Sequence, residues 1–251
     1  MTLLERIEKV RTNKDTTLDL TNQGIRLLPP QLFELTWLEE LVLDGNLLVE
    51  LPDEVCNLTL LRRLSVSEND LMVVPENLGD LVNLETLYLG YNSLSEVPDS
   101  IGNLTKLIKL NIAGNDMLDV PESLGNLNKL VKLSLHDNLL QSIPASFGNM
   151  ISLEELLLDN NELKSIPAEL AQLPKLEELM LSGNHLTAIP SEFGNFQALT
   201  ELVLDENNII EIPESLAQIT SLRVLSLAGN PLSVIPAKIK EKAGLQVTWD
   251  K

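Results

Sequence analysis

The chain has 251 residues, 44% hydrophobic but only 3% aromatic, so any core must be built from Leu, Ile and Val. Its net charge of −19 repels nucleic-acid phosphates and anionic lipid, so neither nucleic acid nor a membrane surface is an expected partner. A single cysteine rules out an intrachain disulfide and fits a reducing compartment.

The chain opens with TLLERIEKV. Leu3, Leu4, Ile7 and Val10 recur at helical spacing, and Thr2 with Glu5 has the T-x-x-E order of a capping box. This predicts a short amphipathic helix within residues 1–14, closing the end of whatever follows. The segment is charged and has no signal-like apolar core, and no apolar run reaches the roughly 20 residues of a membrane helix. A cytoplasmic protein is expected.

From residue 15 to 244 the sequence repeats. Asparagine recurs from Asn46 to Asn230 and proline from Pro29 to Pro236, each at steps of 23. Around each asparagine the pattern is L-x-x-L-x-L-x-x-N-x-L, as in Leu84, Leu87, Leu89, Asn92 and Leu94. The first coil is degenerate, with Asp15 in place of Leu and Gln23 in place of Asn. The L-x-L unit alternates like a strand with one buried face, and coils stacked at about 4.8 Å give a parallel sheet. The asparagine falls where the chain leaves the sheet, where its amide can satisfy backbone groups of a buried turn. The return leg LPDEVCNLTLL suits a short helical or 3₁₀ segment started by proline. GLQVTWDK begins another coil at Leu245 and departs from it, so Val247 and Trp249 are expected to cover the last strand. No linker interrupts the pattern; the expectation is one domain over 1–251, with about ten coils over 15–244 and a cap over 245–251.

The repeat resembles the 23-residue leucine-rich repeat, LxxLxLxxNxLxxLPxxLGxLxx, over roughly residues 15–245. It is similar to the repeats of Ras-suppressor and Ras-scaffold proteins, of Roco GTPases, and of plant and bacterial intracellular proteins. The resemblance implies an α/β horseshoe solenoid: a concave parallel sheet, convex helical or 3₁₀ legs and a helical N-terminal cap. It also implies protein binding, with a role in intracellular signalling.

The fold dictates the Leu, Asn and Pro columns and leaves the outward strand positions free. Arg63, Lys109 and Lys132 make the first half of that face positive, with Tyr88 within it, Tyr91 at the sheet edge and His136 alongside. Further on, Leu157, Met180 and Val203 form an apolar stripe between Glu155, Glu178 and Glu201 on one side and Asp159 and Asp205 on the other. Apolar positions rimmed by charge, with a central tyrosine, are candidate partner-binding residues. Phe33, Trp37 and Leu60 are a second apolar group; packing of Phe33 and Trp37 beside the cap helix is the favoured reading.

No catalytic group, cofactor site or metal site is expected. Cys56 sits in a tight convex column, far from His136. His136 and His185 lie about two coils apart, near 10 Å, too far to share one zinc. Asp159, Ser182 and Asp205 offer at most a weak cation site. The LGNL glycines lie on convex legs, and NLT at Asn57 and Asn103 is generated by the repeat itself. The expected function is a monomeric, non-enzymatic scaffold that binds a protein on its concave face. The alternative is the recognition module of a larger signalling enzyme, such as a Roco-type GTPase.

Overall fold

The computed structural model describes residues 1–250. Among them, eleven strands form one all-parallel sheet in chain order. The strands are β1 (Thr17–Asp19), β2 (Glu40–Val42), β3 (Arg63–Ser65), β4 (Thr86–Tyr88), β5 (Lys109–Asn111), β6 (Lys132–Ser134), β7 (Glu155–Leu157), β8 (Glu178–Met180), β9 (Glu201–Val203), β10 (Val224–Ser226) and β11 (Gln246–Thr248). From β1 to β10 the register follows the 23-residue period, so Leu41 faces Leu64 and Leu64 faces Leu87. Each strand is only three residues long and is stable only through its neighbours.

The middle residue of each strand from β1 to β10 is a leucine pointing inward, and Leu41, Leu64, Leu87 and their successors are fully buried. Proline precedes most convex legs, as Pro98 precedes the 3₁₀ segment Asp99–Asn103 and Pro144 precedes Ala145–Asn149. Its fixed φ starts the leg where no ladder hydrogen bond is needed. A serine ladder ties these legs together: the hydroxyl of Ser100 donates to the Glu76 carbonyl, Ser123 to Asp99 and Ser146 to Glu122.

The asparagine column works as its chemistry requires. The Asn138 amide donates to the carbonyls of Ile112, Leu135 and His136 at 3.0, 3.0 and 3.3 Å. Its oxygen accepts the Met117 N–H at 3.2 Å. One side chain thus satisfies four backbone groups on two coils. The residue before each asparagine is left-handed, with φ of 53–70° at Gly45, Glu68, Tyr91, Gly114, Asp137, Asn160, Gly183, Glu206 and Gly229. The same twist in every coil marks it as a requirement of the turn.

Helix α1 (Leu3–Asn13) closes the first coil with Ile7 and Val10 buried, and both halves of the Thr2–Glu5 capping box are formed. Phe33 and Trp37 pack against the core beside it. The Trp37 indole N–H donates to the Asp15 carbonyl at 3.1 Å, and the Lys14 ammonium lies 3.6 Å from the ring centre. Leu60 alone of that apolar group is exposed. The other end differs from expectation. Residues Gln246–Thr248 do not lie over β10 as a cover; they pair with it as one more parallel strand. Val247 and Trp249 still pack partly against the core, so among the described residues the last strand is backed by apolar side chains.

Candidate partner-binding face

The sheet register brings the candidate residues together on the concave face. Arg63 and Tyr88 lie on neighbouring strands, with the guanidinium 5.1 Å from the ring centre. Tyr88, Lys109, Asn111, Lys132, His136 and Leu157 line a shallow hollow of about 390 Å³. Lys132 is not a free cation, because it forms an ion pair with Glu155 on the next strand. The junction of the basic and acidic zones is therefore itself a salt bridge.

Past that junction, Leu157, Met180 and Val203 face one another across β7, β8 and β9 and are half-buried. Glu155, Glu178 and Glu201 run beside them in strict register. The Glu178 carboxyl is pushed above the ordinary glutamate range, first by burial and then by the charges of Glu155 and Glu201. Asp159 is likewise raised by burial, a rise opposed by its hydrogen bond from the Ser182 N–H at 2.9 Å.

Two groups of outward positions are less free than the strand pattern implies. Asp205 accepts the Ser226 hydroxyl and the Ala228 N–H, both at 2.7 Å. Asp44 does the same for Ser65 and Ser67. These carboxylates, with Asp159, pin the following strand as well as facing outward. Ser65 and Ser134 are buried although their column points to the concave side. Ser65 is covered by its bond to Asp44, and Ser134 bonds the His136 ring at 2.9 Å. The spacing of 21 and 23 residues between each Asp and the groups that donate to it was the available signal.

Tyr91 lies at the sheet margin, exposed, with φ of 57°. A Cβ on Gly114 would stand 2.5 Å from the Tyr91 ring, so that glycine gives the ring its seat. Elsewhere, Cys56 is buried and its thiol is pushed up to about 11, chiefly by burial. His136 stands 3.8 Å from Asp137, while His185 pairs with Glu162 at 2.8 Å. Among the described residues no group of three or more His, Cys, Asp or Glu is placed to hold a metal ion. No helix among them is long and apolar enough to cross a membrane.

Fold and face together define a solenoid whose free surface is a curved parallel sheet. Residues 74–186 match the family described as leucine-rich repeat region, and residues 174–232 match the leucine rich repeat family. The chain is similar to the leucine-rich repeat domain of the type III effector XopL, at 31% identity over 81% of this chain and 73% of that one, with a TM-score of 0.75. It is also similar to a leucine-rich repeat protein of Leptospira interrogans, at 28% identity over 99% of this chain and 75% of that one, with a TM-score of 0.80. A third similar structure is the ectodomain of the Arabidopsis thaliana receptor kinase GASSHO1/SCHENGEN3 in complex with CASPARIAN STRIP INTEGRITY FACTOR 2. There the identity is 36% over 93% of this chain, but only 29% of that chain, with a TM-score of 0.84. No curated protein matches by sequence.

The chain belongs to the leucine-rich repeat family. As a class, this fold is a protein-interaction module.

Proposed function

We propose that the protein is a non-enzymatic scaffold that holds a protein partner against its concave sheet and acts in intracellular signalling, as a monomer. The observation that carries this reading is the Leu157–Met180–Val203 stripe beside an in-register glutamate row. Of that row, only Glu155 has a cation across from it. Like charges held side by side cost stability, and a partner presenting basic and apolar groups would relieve that cost. Arg63, Tyr88, Tyr91, Lys109, Lys132 and His136 form the first half of the contact. Leu157, Met180 and Val203, with Glu155, Glu178, Glu201, Asp159 and Asp205, form the second.

The second reading is a recognition part of a larger signalling enzyme, such as a Roco-type GTPase. The receptor-kinase neighbour favours it, since there the repeats are the ectodomain of a kinase. Affinity capture of partners from the source cell, with wild type and a Tyr88→Ala/Met180→Glu variant, tests the concave site. The variant is expected to fold and to lose the partners. Equal capture by both proteins would refute the site.

A further inference from the structure

A second surface lies away from the concave sheet, on the flank where the chain leaves each asparagine turn. There a hollow of about 420 Å³ spans three successive coils. Val73, Val97 and Val120 line it, together with Glu76, Glu96 and Asp119. Val97 and Val120 are nearly buried, so they form a floor, while Val73 at 54% exposure is part of the lip. Met72 and Leu118, each next in sequence to a lining residue, are 59% and 54% exposed.

The charge here is one-sided. From Leu64 to Thr105 the sequence has seven carboxylates and no Lys, Arg or His. Among the described residues, Glu76, Glu96 and Asp119 take part in none of the seven ion pairs. Covering them with a neutral surface would strip water from unpaired carboxylates, which is costly. Covering the valines with a purely polar ligand would waste the apolar floor.

We propose that this flank hollow takes an extended peptide segment of a partner protein in which lysine or arginine alternates with aliphatic residues. Alternation in an extended chain puts the aliphatic side chains on one face and the cations on the other. The aliphatic face would pack on the Val97 and Val120 floor and cover the exposed Val73 lip, and the long cationic side chains would reach round to the rim acids. The site is separate from the concave one and does not depend on it.

The test uses the full chain and the labelled peptide KVKVKVK, followed by fluorescence anisotropy at low salt. EVEVEVE and heptalysine are the comparison probes. KVKVKVK is expected to bind, EVEVEVE not to bind, and heptalysine to bind at least about tenfold more weakly. Glu96→Lys/Asp119→Lys should weaken KVKVKVK by about tenfold or more, while Glu178→Lys/Glu201→Lys on the concave face should leave it unchanged. All four positions are at least partly exposed, so both variants should fold, which circular dichroism checks. Absence of KVKVKVK binding, equal binding of heptalysine, or loss in the concave variant instead would overturn the proposal. So would a wild-type dimer that Glu96→Lys/Asp119→Lys breaks, because the occupant would then be a second copy.

Discussion

The guanidinium of Arg63 sits 5.1 Å from the centre of the Tyr88 ring, reaching across from β3 to β4. The contact restrains the one aromatic ring at the centre of the concave face. A partly exposed pair of this kind is worth about 0.5–1 kcal/mol. Arg63→Ala should therefore leave the melting temperature almost unchanged and weaken partner capture in the same direction as Tyr88→Ala. Calorimetry with quantitative capture reads both; normal capture would show that the restraint does not matter.

Asn138→Leu removes four hydrogen bonds at once, to Ile112, Leu135, His136 and Met117. The stranded carbonyls and N–H lie in the core. The expected loss is about 1–3 kcal/mol in urea denaturation. A wild-type curve would show that water or a neighbour takes over the amide's work.

Glu68 is an exposed glutamate held at φ of 56°. A left-handed backbone costs a residue with a Cβ about 1–2 kcal/mol, and glycine gives back part of that through its freer unfolded chain. Glu68→Gly should raise stability by about 0.5–1 kcal/mol. Destabilisation would mean that the glutamate side chain holds the turn.

Glu178 binds its proton more readily in the folded than in the unfolded chain, because burial and two neighbouring glutamates disfavour its charge. Its effect is thus neutral below the ordinary glutamate range and costs stability as pH rises through the raised folded value. Glu178→Gln should melt above wild type at neutral pH, with the difference vanishing below about pH 4. Melting curves across pH 3–8 give the answer, and an equal gap at every pH would contradict it.

Cys56 is buried with its thiol raised to about 11, first by burial and then by Asp80 and Asp53. A thiol that is neither exposed nor ionised should not react with a disulfide reagent at pH near 8 until urea unfolds the chain. Rapid labelling of the native protein would place the residue elsewhere.

The period of 23 made the inward leucines, the asparagine ladder and the proline starts legible, because each column meets one unchanging environment. Leu87 and Asn92 could be assigned from their neighbours 23 residues away. The residues of the concave face vary from coil to coil, and their contacts run between columns. The Lys132–Glu155 pair and the hold of Asp205 on Ser226 needed the register to be drawn and read sideways. The left-handed column was also visible: glycine at 45, 114, 183 and 229 shares it with Asn160 and Asp137. Tyr91 hid it, since a tyrosine rarely adopts that twist. The eleventh strand was missed because GLQVTWDK loses the asparagine that marks the coils of β2 to β10.

Each ladder asparagine reaches back to its own coil and the one before it, as Asn138 does through Met117 and Ile112. Removing or doubling a whole 23-residue unit leaves every other amide with the same partners. The molecule is therefore a ruler graduated in steps of one coil, about 4.8 Å. Its contact surface can be lengthened or shortened by genetic duplication or loss without a new turn having to be invented.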